Sequence, residues 1–144
     1  MLDRQDPYGV YNYKVQVKGI ISGGFSEVSG LSLQTEVEDF KEGGVNDFVY
    51  KLPKGTTYTD LTLKRGLIDL ELWDWYWDVV KGTIKRANIT ISLCDDSGDP
   101  IISWDYGEAF PIKWEGPQFN GKSSEIATET LTLTHHGLIT TRKG

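Results

Sequence analysis

A chain of 144 residues fits one domain, large enough to bury a substantial core without metals or disulfides. Its formal net charge of -6 is spread over interleaved acids and bases. That pattern excludes the basic stripe of a nucleic-acid clamp, though not a cavity through which an anionic polymer slides without sticking. The single Cys94 allows no internal bridge and no Cys/His set has metal-ligand spacing, so neither metal nor cofactor is expected.

The chain reads as a single domain over 1–144, opening on a polar arm at 1–12 that carries Pro7 and Gly9. Tyr8 and Tyr11 in this arm are candidates to anchor it to a neighbour. The start, Met1 to Pro7, has no apolar signal region, and the apolar runs fall far short of a membrane span. Synthesis in the cytoplasm, with no membrane insertion of the monomer, is the expectation.

From Tyr13 the hydrophobic period is two. Tyr13, Val15 and Val17 alternate with polar residues, as do Leu31, Leu33, Thr35 and Val37, then Leu61 and Leu63. Ala87, Ile89, Ile91 and Leu93 continue the pattern, and Leu131 and Leu133 close it. Each run predicts a strand with one buried and one wet face. Residues 101–106 and 108–114 predict two more strands, with Pro111 marking an edge. Gly19, Gly23-Gly24 and Asp95–Gly98 supply turns. The fold class is therefore mainly β.

Between these strands the spacing leaves a long loop over about 41–57, too long for a hairpin turn. It is not disordered in composition, because Phe48, Tyr50, Leu52 and Pro53 lie beside Gly43 and Gly44. An apolar loop on so small a protein is a sticky patch unless a partner covers it.

One helix is predicted at about 70–81, with Asp69 as N-cap, Glu71 at the positive end and Lys81-Gly82 as the stop. At 100° per residue, Leu72, Trp73, Tyr76, Val79 and Val80 share one face, with Trp75 and Trp77 on its shoulders. The shoulder tryptophans either complete the core or pack against a neighbouring subunit.

Nothing in the chain points to catalysis. Phosphate loops and nucleophile elbows are absent. Asp95, Asp96 and Asp99 lack EF-hand spacing and predict a tight turn. Asp105 and Glu108 read as ordinary acids near a turn, and Cys94 has no basic neighbour in sequence to activate it. His135 and His136, adjacent on a strand, would point to opposite faces.

Several runs, in order, resemble contractile phage tail tube proteins and their relatives in extracellular contractile injection systems. They are Tyr13–Gly19, Gly24–Leu31, Lys41–Asn46, Lys51–Pro53, Leu61–Gly66, Leu72–Trp75, Ala109–Pro117 and Glu129–Leu138. The resemblance spans about residues 8–138. It implies a tail-tube β-barrel or sandwich with one packed helix, related in fold to the type VI secretion tube protein.

The resemblance further implies hexameric rings that stack head to tail into a hollow inner tube. The partners implied are other copies, a sheath, baseplate or tube-initiator proteins, and cargo in the lumen. The particle would be a phage tail or an extracellular injection machine. Gly43, Gly44, Phe48, Tyr50, Leu52 and Pro53 become candidates for the contact between rings. Asn88, Thr90 and Ser92, with Thr130, Thr132 and Thr134, become candidates to line the channel; without the resemblance they are ordinary wet faces. A tube initiator at the baseplate would keep the same motifs. A reading from another class is a carbohydrate-binding sandwich stacking sugars on Trp75, Trp77, Trp104 or Trp114.

Overall fold

The computed structural model describes residues 12–40, 50–116 and 129–143. Tyr8, Tyr11, Gly43, Gly44 and Phe48 lie outside these residues, and Tyr50 is described by its backbone alone.

The strands are β1 (Tyr13–Val17), β2 (Ile20–Phe25), β3 (Glu27–Ser29), β4 (Leu33–Phe40), β5 (Tyr50–Tyr58) and β6 (Leu61–Ile68). The helix α1 (Leu70–Val80) follows, then β7 (Ala87–Cys94), β8 (Pro100–Glu115), β9 (Glu129–Thr134) and β10 (Leu138–Lys143). Antiparallel ladders run in a circuit: β8 to β7, to β1, to β2, to β6, to β9 and back to β8. The circuit is a flattened barrel, and period-two alternation decides what fills it. Val15, Ile89 and Ile91 of one wall meet Leu61, Leu63, Leu131 and Leu133 of the other, none more than 1% exposed. Each such side chain removed from water contributes about 1.5–3 kcal/mol.

The two strands expected at 101–106 and 108–114 are one strand, β8, that serves both walls. Its first half pairs with β7 and β10, and its second half pairs with β9. The change of wall falls at Glu108, whose φ of 54° is left-handed. Opposite lies the bend His135–Gly137, where Gly107 N–H donates to the Gly137 carbonyl and His136 N–H to the Gly107 carbonyl. Irregularities of this kind let one strand pass between sheets. His135 and His136 therefore sit in a bend, not on a strand as expected. Pro111 pairs with Leu133 of β9, the one ladder neighbour it has among the described residues.

Gly19 does turn the chain, but Gly23 and Gly24 lie inside β2. A Cβ at Gly23 would stand 3.1 Å from Leu72 Cδ1 and from the Phe25 ring. The missing side chain lets α1 settle onto the sheet. That seating also corrects the helix face. Leu72 and Trp75 are buried, whereas Val80, expected inside, is 52% exposed.

Candidate functional site

The largest departure from expectation falls at the loop over 41–57. Its second half, including Leu52 and Pro53, is strand β5, which pairs along β4 in a two-stranded ribbon separate from the barrel sheet. Proline, Lys54 and Gly55 hide the alternation in sequence. In the structure the register steps from Glu36↔Gly55 to Val37↔Pro53, leaving Lys54 as an unmatched bulge residue.

One face of the ribbon carries the pairs Leu33/Tyr58, Thr35/Thr56, Val37/Pro53 and Asp39/Lys51. Side-chain bonds bear out the register: the Thr35 and Thr56 hydroxyls lie 2.8 Å apart, and Lys51 Nζ donates to Asp39 Oδ1 at 3.2 Å. Leu33 and Val37, expected on a buried face, are 54% and 50% exposed. The alternation is legible, but among the described residues no surface covers it. A lone two-stranded ribbon is marginal in water, so a surface covering its apolar face would add to its stability.

The ribbon is fixed at its root. Ser32 and Thr59 hydroxyls lie 3.0 Å apart, and Thr59 Oγ1 donates to the Gly30 carbonyl at 3.0 Å. His135 reaches the Thr59 carbonyl from the barrel bend, tying the ribbon to the corner where β9 meets β10.

The two polar rows named as channel candidates lie on different walls. Asn88, Thr90 and Ser92 belong to β7, beside β1 and the first half of β8. Thr130, Thr132 and Thr134 belong to β9, between β6 and the second half of β8. Both rows alternate with core residues and point away from the shared core. Ser92 is a correction, because it is buried with its hydroxyl 2.8 Å from that of Ser103. Thr90 Oγ1 donates to Asp105 Oδ1 at 2.6 Å, and Arg142 pairs with the same carboxylate oxygen at 3.1 Å.

Trp75 belongs to the core of its own protomer, its indole N–H donating to the Lys85 carbonyl at 2.6 Å. Trp77 is 46% exposed and stacked on Trp73. Trp104 and Trp114 are half-buried against the core, so the named tryptophans form no flat sugar platform. The Asp95 carboxylate accepts the Ser97 and Asp99 amides, the tight turn expected there. Burial pushes the Cys94 thiol above its ordinary range, which fits a structural role.

A barrel of this circuit with one packed helix is the fold that the resemblance to tail tube proteins implies. The chain belongs to the family described as T4-like virus tail tube protein gp19, which matches residues 10–139. It is a tail tube protein of contractile injection systems, and its family is a structural one.

Among solved structures, a chain of the PVC sheath–tube complex in the extended state, from an extracellular contractile injection system, is 29% identical. That match covers 94% of this chain and 90% of that one, with a TM-score of 0.75. A chain of the PVC sheath/tube terminator is 28% identical, with 99% coverage of both and a TM-score of 0.73. Hcp1 from Flavobacterium johnsoniae shares the fold at 14% identity and a TM-score of 0.51, covering 93% of this chain and all of that one (100%). No curated protein matches the chain.

Proposed function

We propose that the chain forms hexameric rings stacked head to tail into a hollow inner tube, with a sheath outside and a baseplate at one end. The observation that carries this reading is the ribbon: an amphipathic two-stranded element whose apolar face stands exposed on a protomer with a complete core. A head-to-tail contact does not close on itself, so an open stack follows.

Strand edges supply the contact within a ring. β10 pairs on one side with β8 and has no further ladder among the described residues. Pairing that edge with a neighbour would extend the wall β10–β8–β7–β1 around the ring. On this geometry the β7 wall faces the lumen, with Asn88 and Thr90 beside Gln16 and Asp105, and the β9 threonines face outward. Cargo would then pass hydroxyl and amide groups, the Asp105–Arg142 ion pair and Lys14, whose ammonium donates to the Gly98 carbonyl at 2.9 Å.

The test is to image tubes assembled from Asn88→Lys and from Thr132→Lys chains. Added density inside the channel for the first, and outside for the second, is expected. The reverse placement would overturn the wall assignment, and failure of the unsubstituted chain to form tubes would overturn the ring itself.

A further inference from the structure

The ribbon needs a surface to land on, and the helix offers one of fitting size. Leu70, Trp73, Trp77 and Val80 follow the spacing i, i+3, i+7, i+10, which gathers them into one narrow stripe along α1. This stripe is distinct from the face that Leu72 and Trp75 turn into the core. Leu70 is 72% exposed, Trp77 46% and Val80 52%. The stripe is also rigid. Trp77 stacks on Trp73 with ring centres 5.8 Å apart, and Trp73 meets Trp114 edge-on at 5.0 Å. The Trp114 indole N–H is held by Glu129 Oε2 at 2.8 Å. A preset aromatic ridge loses little freedom on being covered, the usual property of a binding hot spot.

We propose that the ribbon face bearing Leu33, Val37, Pro53 and Tyr58 docks on the Leu70–Trp73–Trp77–Val80 stripe of a second copy of this chain. The proposal rests on the reading of the ribbon as an assembly element and names its landing site. Three features favour a sister copy as the occupant. Lengths agree: Leu33 to Val37 spans about 13 Å of strand, and Leu70 to Val80 about 15 Å of helix. Charge agrees, because the ribbon face carries one ion pair that cancels itself, Asp39 with Lys51, and the stripe carries no charge. Polar groups agree too, since the Thr35 and Thr56 hydroxyls at the middle of the face already bond each other and are covered at small cost. The patch is far smaller than the roughly 800 Å² per partner of a free-standing complex, so it works as a repeated contact within an assembly.

The experiment mixes full-length chains carrying Val37→Cys with chains carrying either Leu70→Cys or Val80→Cys, assembles tubes and oxidises them. Native Cys94 is 5% exposed and does not compete. A disulfide-linked mixed dimer from one of the two pairings is expected. Tubes that assemble normally yet yield no mixed dimer, or that link Val37→Cys only to itself, overturn the docking while leaving the stacked tube intact. Val37→Lys and Trp77→Glu should each abolish tubes, and the double variant should regain them. Tubes unaffected by Trp77→Glu would also overturn the proposal.

Discussion

His135 Nε2 lies 2.9 Å from the backbone carbonyl oxygen of Thr59, the residue directly after the ribbon. The other ring nitrogen, Nδ1, accepts the Gly137 N–H at 3.0 Å. These two bonds set the tautomer, with the proton on Nε2 donated to Thr59. The imidazole also rests against Tyr106 and Tyr58, with ring centres 4.5 Å and 5.9 Å away. One side chain therefore couples the bend between barrel walls to the root of the ribbon.

Replacing His135 by Ala removes both bonds and both ring contacts at this joint. Each neutral hydrogen bond contributes about 0.5–1.5 kcal/mol, so the loss stays below what unfolds a domain of this size. The barrel should remain folded while amides of β4 and β5 exchange faster than in the parent. Hydrogen exchange followed by mass spectrometry reads the difference. Equal acceleration throughout β7 and β9 would show that His135 supports the whole barrel instead of the ribbon.

The core and the ribbon should respond oppositely to leucine truncation. Leu63 is fully buried between walls, and Leu63→Ala should cost about 2–5 kcal/mol in denaturant unfolding of the dispersed protein. Leu33 is 54% exposed, and Leu33→Ala should change that stability by less than about 0.5 kcal/mol while weakening tube formation. A large stability loss from Leu33→Ala would mean that the ribbon packs within its own protomer.

Strict alternation made β1, β7 and β9 legible, because a wall with one wet face forces polar and apolar residues to take turns. The same rule marks the start of β4 but not its surroundings, since an alternating pattern names an apolar face without saying what covers it. β5 was hidden by Pro53 and Gly55, residues that ordinarily mark loops, because the bulge at Lys54 tolerates them. β2 was hidden by Gly23 and Gly24, whose missing side chains serve the seat of Leu72. β10 has no buried residue, so its sequence Leu-Ile-Thr-Thr-Arg-Lys carries no period to read. The helix is legible from Asp69 at its start and Lys81-Gly82 at its end, although the Asp69 side chain makes no capping hydrogen bond. Its two apolar faces were not separated, because a pattern of apolar positions does not say which stripe meets the sheet.

The buried thiol and phenol should make the fold alkali-sensitive. Burial is the largest cause raising both Cys94 and Tyr106, and the neighbouring Tyr58 adds to the second. A raised acid group leaves the folded state holding its proton longer than the unfolded chain does. Stability from these groups is thus complete at neutral pH and falls as pH rises above about 8.5. Thermal unfolding from pH 7 to pH 11 should show a declining midpoint, and Cys94→Ala should flatten the early part of the decline. A midpoint that rises over this range would contradict the burial of both groups.

The β1–β2 turn can be improved. Lys18 and Gly19 both adopt positive φ, 53° and 83°, the geometry of a tight hairpin turn that favours Asn-Gly. Lys18→Asn should stabilise the protein by about 0.5–1 kcal/mol in denaturant unfolding. No gain would indicate that the lysine side chain already offsets the strain of its backbone.

Electron microscopy of the purified, unsubstituted chain at high concentration tests the central claim most directly. Rings with a central channel, stacked into rods whose neighbouring rings are joined through β4 and β5, are the result this account predicts. A chain that stays monomeric, with its ribbon amides exchanging at unprotected rates even when sheath and baseplate proteins are present, would contradict it.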